Sequence, residues 1–357
     1  MSPDRIARAR IVPSADGWRL AEATEAVDPG PFAASLAWHR ATAQALGDDR
    51  LVHVTLHDVK DAPVGLVTLQ HGRASWRTGS PGLSQLGWPM AELGYGYRPR
   101  WLDGTPRSGW RAALAGLFPD RRIELHRSAA DASDEPATGG FTTTPGPATF
   151  VREHPGGLDD WLASLAGGHR RELAKYRRNI AKAGAEWLDT DVADDALFDA
   201  CLRLHEARLV AKGMAAARPS ATTRTFFRAL ARETSARGLR LTLLRAGDRY
   251  VASCLSFVHA RRLQAFLSGW DRTHANLDLG RQVFYHQLLN ELPRGLDEID
   301  ALAGDFAYKR ELGLAPRPTF DHTAHGGQVA RLCANLVDGA LRCYRIVRGD
   351  NRKAVTR

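Results

Sequence analysis

Asp300, Asp305, Tyr308 and Lys309 stand close together near the end of the chain, and their side chains together suit acid–base chemistry at a carbonyl. A carboxylate can take a proton from an amine or orient an ammonium, the phenol of Tyr308 can protonate a leaving group, and a fixed cation can steady an oxyanion. The same spacing has a purely architectural use, because Asp305 and Lys309 lie at i, i+4 and could brace a helical turn with Tyr308 in the core. A second group is cationic. Arg171, Lys175, Arg178 and Lys182 follow steps of four, three and four, which puts them on one helix face, while Leu173, Tyr176 and Ile180 line another. Parallel cations on a rigid element suit phosphates, and without an anion they repel one another by a few tenths of a kcal/mol per pair, about the size of other exposed helix pairs. A third group, His205, Glu206, Arg208 and Lys212, interrupts an apolar helical pattern that begins near Ala196.

The elements that must carry these residues are legible in the last third of the chain. Leu239 to Arg245 alternates apolar with polar residues, Gly247-Asp248 supplies a turn, and Tyr250 to Val258 and Leu263 to Trp270 continue a β meander. Leu279 to Leu292 has the spacing of a helix, stopped by Pro293 and Gly295. The short run Leu296 to Leu302 then reads as a strand that delivers Asp300, Asp305, Tyr308 and Lys309 to one sheet edge. Upstream, an irregular leader precedes a helix over Pro31 to Leu46 and a hairpin made of Leu51 to Val59 and Val64 to Leu69. The layout of that hairpin parallels Leu241 to His259 and hints at internal duplication. The Gly-, Trp- and Tyr-rich stretch 72 to 110 reads as a packed aromatic loop, 128 to 148 as a linker, and Val329 to Val347 as a terminal helix followed by a basic tail.

Meander, glycine-headed helix, strand with Asp, then Gly304-Asp305-Phe306-Ala307-Tyr308-Lys309 resembles the CelD/BcsL-type acyltransferases of the GNAT superfamily. The likeness extends upstream to Leu165-x4-Arg170-Arg171-x-Leu173-x3-Arg177-Arg178 and to His205-Glu206-Ala207-Arg208 with Lys212-Gly213, covering roughly residues 150 to 320. The Tyr308-Lys309-x3-Gly313 ending is also similar to Fem-type aminoacyltransferases, which draw on charged tRNA and use a doubled GNAT fold. The resemblance implies an α/β fold of two GNAT-like domains, with mixed, mostly antiparallel sheets flanked by helices. It places a degenerate N-terminal domain at 1–148, an acyltransferase domain at 149–325, and a terminal helix and basic tail at 326–357.

By the same resemblance Lys309 stabilises developing negative charge, and the helix bearing His205, Glu206 and Arg208 lies beside the acceptor cleft. The turn at Gly280, Arg281 and Gln282 would bind the pyrophosphate of coenzyme A through free backbone N–H groups, joined by Arg171, Lys175 and Arg178. The glycine pattern there is reduced to Gly280, and Asp278 beside it opposes a diphosphate or serves as an N-cap. The implied activity is N-acyl transfer to a primary amine in a cleft between the two halves. Acyl-CoA is the default co-substrate and aminoacyl-tRNA the alternative donor, the latter with a cell-wall precursor or secondary-metabolite acceptor. A third expectation, from another class, is a non-catalytic protein that holds polyanions, tRNA among them.

Composition narrows the field. The chain has 357 residues, 44% of them hydrophobic, enough for two domains with substantial cores. Its net charge of +9 favours anionic partners, though much of it is arginine in an Ala- and Gly-rich chain. Four widely spaced cysteines suggest neither a disulfide framework nor a zinc site, which fits a reduced, cytoplasmic protein. The pair His322 and His325 lacks companions for a metal, so none is assigned. The charged N-terminus has no apolar signal core, and no stretch reaches the roughly 18 apolar residues of a membrane span. Neither a nucleophile elbow nor a Walker loop is present, which disfavours covalent serine catalysis and nucleotide hydrolysis. No protein partner is inferred.

Overall fold

The computed structural model describes residues 5–28, 32–71, 82–85, 98–129, 140–214 and 218–324. The expected terminal helix, His325, and most of the Gly- and aromatic-rich stretch lie outside them. The chain forms two compact units, one made of 1–147 with 318–357 and the other of 148–317.

The first unit begins with β1 (Arg8–Val12) and α1 (Ser14–Glu25), so the expected irregular leader is a strand and a helix. The pattern hides this because α1 buries small residues, Gly17, Ala21 and Thr24, in place of large apolar ones. At Gly17 a Cβ would collide with the His53 ring, so the sheet presses directly on the helix backbone there. Then come α2 (Leu36–Leu46), β2 (Leu51–His57), β3 (Pro63–His71), β4 (Gly82–Gln85), β5 (Arg100–Trp101), α3 (Trp110–Leu117), β6 (Arg122–Ala129) and β7 (Phe141–Pro145). The stretch expected to be a linker thus contains the end of β6 and the whole of β7. Its core joins Val54, Leu56, Val67, Leu69, Trp110, Leu114, Ile123 and Leu125.

The second unit contains β8 (Thr149–Glu153), α4 (Leu158–Ser164), α5 (Gly167–Lys182), β9 (Glu186–Thr190), α6 (Asp195–Ala211) and α7 (Ala221–Glu233). These lead into the meander β10 (Leu239–Ala246), β11 (Arg249–His259) and β12 (Arg262–Trp270), then α8 (Leu279–Glu291), β13 (Glu298–Ala303), α9 (Ala307–Glu311) and β14 (Ala315–Arg317). The sheet order is β14-β8-β13-β12-β11-β10-β9, and only β12 and β13 run parallel. Parallel strands need a long crossover connection, usually a helix, and α8 occupies that position. Its core gathers Trp161, Leu173, Ile180, Val283, Phe284, Leu288, Ile299 and Leu312. α8 is buried almost all round, including Arg281, Gln282, Gln287 and Glu291, which is why its apolar pattern alone is thin.

The final strand, β15 (Thr319–Ala324), belongs to the first unit's sheet, paired with β6 and β7, although the sequence places it with the C-terminal domain. The first unit runs strand, two helices, three strands, helix, strand (β1, α1, α2, β2, β3, β4, α3, β6), apart from the short β5, and the second repeats that order (β9, α6, α7, β10, β11, β12, α8, β13). In both, the strands flanking the last helix pair in parallel over three positions.

Candidate functional site

The second unit's sheet opens where its two parallel strands part. β12 and β13 pair through Arg262↔Glu298, Leu263↔Ile299 and Gln264↔Asp300 and no further. Asp271 N donates to Val251 O at 2.8 Å. In an antiparallel ladder alternate residues face the partner, so Leu267, Gly269 and Asp271 turn their backbone groups to β11, while Ser268 and Trp270 turn theirs the other way, into the fork.

Two segments meet beside that fork, α6 and the stretch from Phe306 to Tyr308. α6 lies against β12 because Gly269 has no side chain; a Cβ there would collide with the backbone of Leu204 and His205. This brings the half-buried His205 to the strand, and its Nδ1 lies 3.0 Å from Ser268 O. Burial holds the imidazole below its ordinary pKa, with the Ser268 carbonyl opposing, so the ring is neutral at pH 7. Next along α6, Arg208 lays its guanidinium 4.8 Å from the Trp270 ring centre and 5.9 Å from that of Phe306, and Lys212 Nζ sits 4.4 Å over Phe306. Neither cation has a carboxylate partner among the described residues, and the buried Arg208 Nε lacks a hydrogen bond. Tyr308 stacks on Phe306 with ring centres 6.1 Å apart. Burial pushes its hydroxyl up to about 12, so it stays protonated.

Below this collar the end of β13 is tied into a knot of polar bonds. Leu302 has φ +57, a conformation that costs a side-chain-bearing residue roughly 1–2 kcal/mol. Asp300, wholly buried, accepts from Leu302 N at 2.8 Å and from the Thr149 hydroxyl. Burial raises its pKa, with the Thr149 hydrogen bond opposing. Lys309, 2% exposed, donates from Nζ to the carbonyls of Ala301 (2.7 Å), Leu302 (3.0 Å) and Ala303 (2.8 Å). Burial draws this amine down to about 8, whereas three carbonyl acceptors favour the ammonium; at neutral pH both leave it charged.

Several expected roles change as a result. All three ammonium protons of Lys309 are engaged by backbone, so it grips the strand end and has no donor left for an oxyanion. Asp300 is likewise engaged in holding Leu302. Asp305 is exposed and ion-paired with Arg310 at 2.8 Å, not braced on Lys309, and that partner keeps its carboxylate well ionised and a poor base. Glu206 pairs with Arg224 of α7 instead of facing a substrate.

The expected pyrophosphate turn is also otherwise engaged. Gly280 receives the Trp270 ring, 2.9 Å from where a Cβ would stand. Arg281 is bound by Asp278 (2.6 Å), Glu311 (2.7 Å) and Glu172 (3.2 Å). Asp278 sits at φ +51 and makes no side-chain cap, its carboxylate being directed to Arg281. Gln282 is buried with its Nε2 lacking a hydrogen bond. One cation among three carboxylates gives this helix start an excess of negative charge, which does not fit a diphosphate. By contrast, Arg171, Lys175 and Arg178 on α5 are all exposed and carry no ion pair among the described residues. His322 bonds the Thr143 hydroxyl at 2.9 Å on the other unit's sheet, and no group of three metal-ligating side chains occurs among the described residues.

Sequence reasoning missed Trp270, Phe306 and the backbone of Ser268 as site components. The adjoining Gly269 was the available signal, since a strand-interior glycine marks close approach of another backbone.

Residues 167–310 match the family model for an acetyltransferase (GNAT) domain. No curated protein matches the chain. Among solved structures, the chain is similar to a conserved protein of unknown function from Bacteroides thetaiotaomicron VPI-5482, at 13% identity over 90% of this chain and 99% of that one, TM-score 0.56. It is similar to FemX at 9% identity, over 88% and 96% of the two chains, TM-score 0.57. L-PGS from Bacillus licheniformis matches at 9% identity, over 89% and 95%, TM-score 0.53. At such identities the likeness shows the fold, a mixed α/β architecture of GNAT and Fem type. Together with the domain match it supports a transferase. No helix among the described residues is long and apolar enough to cross a membrane.

Proposed function

We propose that the second unit transfers an activated acyl group to a primary amine, with the reacting carbonyl lying in the fork between β12 and β13. The fork itself is the main support: backbone N–H groups of Ser268 and Trp270 face it, and a carbonyl oxygen that gains charge during attack needs such fixed donors. Tyr308 is the proton donor to the leaving group. Arg208 and Lys212, cations above Phe306 that have no carboxylate partner among the described residues, hold an anionic part of the donor or acceptor. Lys309 and Asp300 act through the backbone they grip, and the first unit is a degenerate copy of the catalytic one.

Two observations favour charged RNA over coenzyme A as donor. Three carboxylates surround Arg281 where a pyrophosphate would sit, and α5 exposes Arg171, Lys175 and Arg178, none of them in an ion pair among the described residues. The purified chain should be given either acetyl-CoA or tRNA charged with labelled amino acids, together with a mixture of primary amines, and amide products read by mass spectrometry. An amide that disappears with ribonuclease and declines steeply with salt identifies the RNA donor; insensitivity to nuclease identifies the coenzyme. RNA retention with no amide from either donor would overturn acyl transfer in favour of polyanion binding.

A further inference from the structure

Of the side chains around the fork, His205 has a fixed tautomer and an unused lone pair. Ser268 has its carbonyl turned away from β11, so that oxygen accepts only if the facing Nδ1 carries the proton. Nε2 is then the unprotonated nitrogen, and no described residue bonds it. The ring cannot retreat, because the contact of Gly269 with the α6 backbone fixes its Cα against the strand. Resting on the acyl-transfer reading, we propose that His205 is the general base of the reaction, taking the amine proton at Nε2.

The step balances without further reagents. The neutral amine nitrogen attacks the carbonyl carbon, forming the C–N bond and an oxyanion toward the Ser268 and Trp270 amides. His205 Nε2 accepts one proton from the now cationic nitrogen. As the oxyanion collapses, the bond from carbon to the leaving oxygen or sulfur breaks, and that atom takes the Tyr308 proton. The imidazolium returns its proton to the tyrosinate through water, leaving amide, free alcohol or thiol, and the resting enzyme. The same orientation explains why His205 is kept neutral in a cationic neighbourhood: burial and Arg208 lower its proton affinity, while the Ser268 carbonyl and Glu206 raise it. A charged imidazole could not accept a proton, so burial, aided by Arg208, keeps the base usable at neutral pH.

Two measurements test this. Nitrogen-15 histidine spectra of the full chain, with His205 assigned by its absence in His205→Gln, should show a neutral ring protonated at Nδ1 at pH 7; protonation at Nε2, or at both nitrogens, overturns the proposal. Second, kcat/KM with whichever donor gives product should fall with unit slope on the acid side. His205→Gln, whose amide can still donate to Ser268 O, should lower the rate by about 10² to 10⁴ and abolish that limb, with an unchanged melting temperature. A variant that keeps both rate and limb refutes the base while leaving acyl transfer standing. Absence of product from wild-type chain with either donor refutes the transfer reading itself, and the base with it.

Discussion

Replacing Lys309 by methionine should reveal whether its cation serves architecture or chemistry. The substitution removes three hydrogen bonds, to the carbonyls of Ala301, Leu302 and Ala303, within a site 2% exposed. Each buried acceptor left without a donor costs about 1–3 kcal/mol. The ammonium's own desolvation is relieved in the same change and offsets part of that summed cost, leaving about 3–5 kcal/mol net. We expect a loss of about that size, together with release of the left-handed turn at Leu302 that precedes Phe306 and Tyr308. The assay is hydrogen exchange of peptides spanning 298–314, with urea unfolding of the second unit alongside. Faster exchange confined at first to that segment is the expected signature. A variant that loses turnover while stability changes by less than about 1 kcal/mol, with normal exchange, would return Lys309 to the role of oxyanion partner and refute the carbonyl grip.

Four further outcomes follow from particular contacts. His39 is held neutral by burial, down to about 3, so the unfolded chain binds more protons from its ordinary 6.5 downward and stability falls as pH drops through that window. The slope should flatten by about 1.4 kcal/mol per pH unit in His39→Gln, read from urea midpoints at about pH 4 to 6. Arg281→Met leaves Asp278, Glu172 and Glu311 without their shared cation and should cost about 2 kcal/mol by denaturant titration, less than a fully buried pair because the carboxylates reach solvent. Gly269→Ala forces α6 off β12 and should cost about 1–3 kcal/mol while breaking the His205 bond to Ser268, visible as loss of the Nδ1-protonated ring in nitrogen-15 spectra. Changing Arg171, Lys175 and Arg178 to Glu should weaken a tRNA donor at least tenfold and flatten its salt dependence by roughly 0.7–0.9 per lost phosphate contact, leaving transfer from acetyl-CoA unchanged.

The meander was legible because its runs alternate cleanly, and α8 and β13 because clear stops bound them; the expected Leu263 to Trp270 and the observed Arg262–Trp270 differ by one residue. The site was legible as a neighbourhood and far less as a set of roles. Tyr308, Lys309, Asp300, His205 and Arg208 do gather at the sheet end, but whether a lysine proton meets substrate or backbone depends on the left-handed turn at Leu302, which no spacing rule announces. Likewise Arg281 was expected in a pyrophosphate-binding turn, and its three carboxylates come from Glu172, Asp278 and Glu311, two of them distant in sequence. The start of the chain escaped because α1 buries Gly17, Ala21 and Thr24, which carry no amphipathic signal.

Amide hydrogen exchange at Ser268 and Trp270, measured by NMR with and without the donor that supports turnover, bears most directly on the fork as the place where the acyl group lies. Bound donor should slow both amides while leaving Leu267 and Gly269, already engaged with β11, unchanged. Unaltered exchange at Ser268 and Trp270 under saturating donor would put the acyl group elsewhere.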